Sequence, residues 1–140
     1  MARAKNNILV AVDGSDNALR ALKYAVSLLQ PDAKLYVLFV HTPLMPSRAI
    51  SQALIDEHYR REEERALTKA RRYLQRAKID AEIEARIGDP ARTIVEHAKK
   101  KKCRQIVMGN HGHSAIAGFF LGSVALKVIQ LSDIPVTLVK

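Results

Sequence analysis

Short apolar runs alternate with amphipathic segments along this chain, and that alternation constrains the fold more than any other feature. Ile8-Leu9-Val10-Ala11-Val12 is a continuous apolar run closed by Asp13-Gly14-Ser15-Asp16. Such a run reads as a strand buried on both faces, followed by helix-capping chemistry. Ala18, Ala21, Leu22, Ala25, Leu28 and Leu29 then recur at helical spacing until Pro31 stops the pattern. A second buried strand, Leu35 to Val40, ends at His41-Thr42-Pro43. A charged segment from about Ile50 to Ala77 follows. Its expected inner side carries Leu54, His58, Leu67, Ala70, Leu74 and Ala77, with a gap between His58 and Ala66.

Asp80 to Ile87 alternates charged and apolar residues, which predicts a strand with one wet face at a sheet edge. Gly88-Asp89-Pro90 supplies a turn, an N-cap and a first-turn proline for a helix marked by Ala91, Ile94, Val95 and Ala98. Gln105 to Met108 is a fourth strand, broken at Gly109. Val124, Ala125, Val128 and Ile129 mark a fourth helix, and Ile134 to Val139 closes the chain as a fifth strand. The order β-α-β-α-β-α-β-α-β calls for an α/β fold with a mainly parallel sheet and right-handed crossovers. We expect one domain over residues 1–140, doubly wound and open. Its five strands take the order 3-2-1-4-5 and are covered by four helices. The composition suits it: 48% of the 140 residues are hydrophobic and only 5% aromatic, so the core is built from aliphatic side chains.

Other classes are disfavoured. No apolar run reaches the roughly 18 residues that a membrane span needs. The apolar stretch after the basic amino terminus stops at Asp13, too early for a secretory signal. With one cysteine, Cys103, no internal disulfide can form, which agrees with a cytoplasmic setting. The formal net charge of +9 invites a polyanion. No aromatic residues are interleaved with the basic ones as a single-strand stacking surface requires, and nucleic acid is not the expected partner. The lysines from Lys99 to Lys102 fall where a helix should end, and cations there favour the helix dipole.

In an open parallel sheet, ligands bind beyond the carboxyl ends of the strands, where the strand order reverses. Asp13-Gly14-Ser15 follows the first strand and Gly109-Asn110-His111-Gly112 the fourth, so the expected order sets the two loops across one crevice. Glycines let backbone N–H groups approach an anion, and Gly122-Ser123 stands where a helix should begin. Asp13 suits a ribose hydroxyl or a divalent cation better than a phosphate. The same residues are equally compatible with a tight turn, a helix start and a helix cap. They form neither a P-loop nor the dinucleotide fingerprint.

The spacing Gly109-x2-Gly112-x9-Gly122-Ser123, together with Ile8 to Ser15, Gly88-Asp89-Pro90 and Pro135 to Val139, resembles the nucleotide-binding branch of the universal stress protein family over essentially the whole chain. The resemblance implies an adenine near Ala11, Val12 and Val40, and ribose contact at Asp13. It implies phosphate contacts at Gly109, Gly112, Gly122, Ser123 and Val124, with Met108 and His111 completing the site. Asn110 departs from the family's usual Ser or Thr. The resemblance implies ATP, ADP or AMP as ligand, with Mg2+ or Mn2+ on the phosphates as a further expectation. It also implies a homodimer through the strand Ile134–Val139.

The expected role is regulatory, with little or no hydrolysis. The alternative is a slow ATPase or phosphotransfer enzyme using the same site, for which His111 is the one candidate base. No Lys or Arg falls inside the motif to neutralise developing charge.

Overall fold

The computed structural model describes residues 5–111 and 121–140. Its first strand, β1 (Ile8–Ala11), is buried almost throughout and pairs on both sides, as its unbroken apolar run requires. Parallel neighbours need crossovers, and helices supply all of them. The remaining elements are α1 (Asp16–Leu28), β2 (Leu35–His41), α2 (Gln52–Ala77), β3 (Glu82–Ile87), α3 (Pro90–Lys100), β4 (Gln105–Gly109), α4 (Ser123–Leu131) and β5 (Val136–Val139). The strands lie in the order β3-β2-β1-β4-β5, every pair parallel. Strand order therefore reverses between β1 and β4, as the sequence predicts.

The period-2 alternation of the central strands divides the core in two. Ile8, Val10, Val37, Phe39 and Val107 face α1 and α2, against Leu22, Ala25, Leu67 and Leu74. Leu9, Leu38, Ile106 and Met108 face α3 and α4, against Ile94, Ala98, Ala125 and Val128. Each fully buried aliphatic side chain here contributes about 1.5–3 kcal/mol of transfer free energy.

Helix starts follow side-chain chemistry. Ser15 Oγ accepts from Ala18 N at 3.1 Å, Ser51 Oγ from Leu54 N at 3.3 Å, and Asp89 Oδ2 from Arg92 N at 3.1 Å. Three expectations are corrected. The Ser51 cap starts α2 at Gln52 rather than Ile50, and its inner face is Ile55, Ala66, Leu67, Ala70 and Leu74. Leu54 is 59% exposed, and His58 and Ala77 are also exposed. The expected gap is present: no residue of α2 is buried between His58 and Ala66, and half-buried Tyr59 and Glu62 stand there instead. Glu62 Oε1 lies 2.8 Å from Nδ1 of buried His41, so the stripe turns polar where it meets the end of β2. Second, β3 is an edge strand, but it begins at Glu82 rather than Asp80. Its Ile87, expected inside, is 55% exposed at the end of the strand. Third, β5 spans Val136–Val139. Ile134 and Pro135 precede it, with Pro135 O accepting from Ile106 N at 3.0 Å.

Candidate functional site

Because β1 and β4 are neighbours, the loops leaving their carboxyl ends rise side by side. After β1, Asp13 Oδ1 accepts from Ser15 N at 2.9 Å, closing a small turn. Gly14 takes φ +86°, and a β-carbon there would lie 2.5 Å from the backbone oxygen of Arg65, so α2 packs directly onto the turn. Ser15, not Asp13, is the N-cap of α1. The Asp13 carboxylate is thereby held at the rim of the crevice.

A cavity of about 380 Å³ opens at the strand-order reversal. Ala11, Val12 and Asp13 line it from β1, and Val40 from β2. Met108, Gly109 and His111 contribute from β4 and its loop, and Gly122, Ser123 and Val124 from the start of α4. Every expected site residue among those described therefore faces one space. Gly112 lies outside the described residues. Sequence reasoning missed the rest of the wall: Ala18, Leu38, Phe39, Pro90, Ile94 and Ala125. Pro90 and Ile94 were legible as the first two turns of a helix starting at the same sheet end, but not as walls of this site.

The cavity has two chemical ends. Ala11, Val12, Leu38, Val40, Ile94 and Met108 make an apolar slot that suits a flat, poorly hydrated ring. The start of α4 forms the other end. Its N-cap is Gly122, with no side-chain capping bond, whereas α1, α2 and α3 are each capped by a side chain. The first intrahelical bond at this terminus runs from Leu126 N to Gly122 O at 3.0 Å. The amides of Ser123, Val124 and Ala125 precede it at the cavity wall, positions where a helix offers N–H groups to an anion.

The β4 loop is used differently from the sequence reading. Asn110 N donates to Val139 O at 3.0 Å, His111 N to Asn17 Oδ1 at 3.1 Å, and Gly122 N to Asn110 O at 2.7 Å. Those three amides serve the protein rather than a ligand. Among the described residues, the amides left for phosphate are those of the α4 start. Gly109 lines the cavity, but its lack of a β-carbon first answers an internal need. A β-carbon there would overlap Asn17 Oδ1 and lie 2.7 Å from Asn17 Cγ. Asn17 is 2% exposed and was not singled out from sequence. Asn110 Oδ1 is buried without a hydrogen-bond partner, at a position where its side chain adds no wall to the cavity.

Elsewhere, ion pairs engage part of the basic surface. Lys99 pairs with Asp133, Lys101 with Glu82, and Arg60 and Arg61 with Glu57, whose carboxyl their hydrogen bonds hold down to about 2. The lysine run closes α3 as the dipole argument anticipates. Burial pushes the Cys103 thiol up to about 12, which makes it a packing residue rather than a nucleophile. No described helix is long and apolar enough to cross a membrane. Among the described residues, no group of three His, Cys, Asp or Glu side chains is arranged to hold a metal ion.

Comparison with known proteins agrees with this architecture. The family model described as the universal stress protein family matches residues 5–140. Universal stress protein MJ0531 of Methanocaldococcus jannaschii is 36% identical over 138 residues, covering 95% of this chain and 81% of its own. The solved structure of universal stress protein UspA from Lactobacillus plantarum superposes with a TM-score of 0.84 at 28% identity, over 100% of both chains. A universal stress protein solved in complex with cAMP gives a TM-score of 0.72 at 31% identity, covering 99% of each chain. One from Archaeoglobus fulgidus, in complex with dAMP, gives 0.68 at 27% identity, over 99% of this chain and 100% of that one. The five-stranded parallel sheet, its 3-2-1-4-5 order and the family match over nearly the whole chain lead to one conclusion: the chain belongs to the universal stress protein family.

Proposed function

We propose that the cavity binds ATP, or its relatives ADP and AMP, and that the protein is a nucleotide-responsive regulator with little or no hydrolysis. One observation carries the reading: the apolar slot and the start of α4, which has no side-chain cap, share a single space that Asp13 also lines. An adenine suits the slot, the ribose hydroxyls suit the Asp13 carboxylate, and the phosphates suit the α4 amides and Ser123 Oγ. The similarity to structures solved with cAMP and dAMP supports an adenine nucleotide as the ligand class. Phosphate oxygens with Asp13 are the donors that would hold Mg2+ or Mn2+.

Slow hydrolysis is disfavoured on chemical grounds. The segment from Gly109 to Ser123 contains no lysine or arginine to offset charge developing on a transferred phosphoryl group. Membership of the family supports a role in stress response, and we assign the protein to the cytoplasm, where a buried, unreactive Cys103 needs no partner.

The seam for a second copy is β5. It is an edge strand whose apolar residues are only half-buried, and α4, which packs beside it, exposes Leu126, Ile129 and Leu131. Such an edge is a template for strand pairing.

The test is to denature freshly purified protein, identify released nucleotide by mass spectrometry, and titrate stripped protein with ATP, ADP and AMP. Micromolar binding, lost in Gly122→Val with the circular dichroism spectrum retained, is expected. Failure of all three nucleotides to bind the stripped protein would sink the reading.

A further inference from the structure

Asn17 stands in the first turn of α1, a position that sequence alone reads as an ordinary polar helix residue. It is nevertheless 2% exposed, and both ends of its amide are engaged. Nδ2 donates to Val139 O at 2.8 Å, and Oδ1 accepts from His111 N at 3.1 Å. Its partners lie 122 and 94 residues away in sequence. The same Val139 carbonyl also accepts from Asn110 N at 3.0 Å, and Asn110 O accepts from Gly122 N at 2.7 Å. One continuous hydrogen-bonded path thus joins α1, the end of β5, the loop after β4 and the N-cap of α4.

We infer that Asn17 is a positioning residue for the phosphate end of the nucleotide site, an inference that rests on the nucleotide reading above. The physical reason lies in what surrounds the loop. Gly109 has no side chain to anchor the chain as it leaves the sheet, and the space beside it is filled by the Asn17 carboxamide. His111 lines the cavity, and Asn17 holds its backbone amide. Fixing His111 and Asn110 fixes, through the Asn110 to Gly122 bond, the relation of the loop to the α4 amides. A buried carboxamide satisfied at both ends is rigid, because each lost bond would leave a buried polar group at a cost of about 1–3 kcal/mol. The apolar slot lies on β1, β2, α3 and the body of β4. The hydrogen bonds of Asn17 go instead to Val139 and His111, so their loss falls on the phosphate end before the base.

Asn17→Ala separates the two. In wild type we expect the His111 amide to be protected from hydrogen exchange, and ATP to bind more tightly than adenosine. In the variant we expect His111 protection to fall, ATP to weaken by at least about tenfold and adenosine by less than about threefold, since only the phosphate end loses its support. An equal loss for both ligands would reduce Asn17 to a general packing residue, and unchanged His111 exchange would remove the proposed contact; either result overturns the inference. Should wild type bind neither ATP nor adenosine, the site reading fails on that arm. His111 exchange then still decides whether Asn17 fixes the loop.

Discussion

The side-chain oxygen of Asn17 fills the volume that a β-carbon on Gly109 would need. The two residues sit 92 positions apart, yet each sets the permitted size of the other. Gly109 takes no positive φ, so the constraint is steric and not conformational. Gly109→Ala alone should destabilise the protein by about 1–3 kcal/mol through overpacking against a side chain that hydrogen bonds hold in place. Asn17→Ala alone should cost a similar amount through the orphaned His111 amide. In the double variant the added methyl enters vacated space. Chemical denaturation should therefore show the pair less destabilised than the sum of the singles by about 1 kcal/mol or more. Strict additivity would mean that the two side chains do not compete for one space.

A carboxylate shared by two imidazoles ties the long helix to the sheet. Glu62 Oε1 meets Nδ1 of His41, which is 3% exposed, at 2.8 Å, and Glu62 Oε2 meets Nε2 of the exposed His58 at 3.1 Å. Tyr59 packs its ring 4.8 Å from that of His41 and accepts from Leu44 N at 2.7 Å through its hydroxyl. Glu62→Ala should cost about 1–3 kcal/mol, because a buried ring nitrogen loses its partner. His58→Ala should cost well under 1 kcal/mol, since that contact is solvated. Urea unfolding of both variants checks the ranking, and equal costs would contradict it.

The same junction explains where the sequence was readable and where it was not. Strands β1, β2 and β4 are buried on both faces, so they appear as unbroken apolar runs, and the parallel order follows from the helices between them. Helix α2 was readable as a helix but not in its orientation. Its inner stripe passes through Tyr59 and Glu62, which are polar because His41 is buried opposite, and His41 looked like a strand terminus. The wall of the site was legible at Asp13, Gly122 and Ser123, where local chemistry (a turn, a helix start) and topology agree. Asn17 left no such mark, because its partners come from the other end of the chain and only the fold brings them together. Gly109 was visible as a break, while the reason for the break was another residue's side chain.

The edge strand β5 offers a prediction about assembly. Thr137 lies in the middle of its four residues, with Oγ1 donating to Gln105 Oε1 at 3.1 Å. Pairing of two β5 edges about a twofold axis would bring this position close to its own copy. Thr137→Lys then sets two cations against each other, and the half-buried apolar edge no longer pairs. Sedimentation equilibrium should give a dimer mass for wild type at micromolar concentration and a monomer mass for the variant. A wild-type mass matching one chain would refute the β5 seam.

His97 on α3 should make stability depend on pH in a definite direction. Burial holds its pKa below the ordinary value of 6.5, and Arg86 and Lys101 push the same way. Glu84, 3.4 Å from Nε2, opposes them together with Glu82. The ring also packs edge-on against Tyr36. The folded protein therefore prefers the neutral imidazole more than the unfolded chain does. Between the depressed folded value and 6.5 the unfolded chain binds more protons, so stability rises with pH across that window. His97's contribution is complete above 6.5 and is lost as pH falls through the folded value. His97→Gln, which cannot titrate, should lower stability at pH 7.5 through lost packing yet flatten the slope below 6.5. Guanidinium midpoints from pH 5 to 8 measure both effects. A wild-type slope unchanged by the substitution would assign the acid sensitivity to other groups, with the exposed carboxylates first among them.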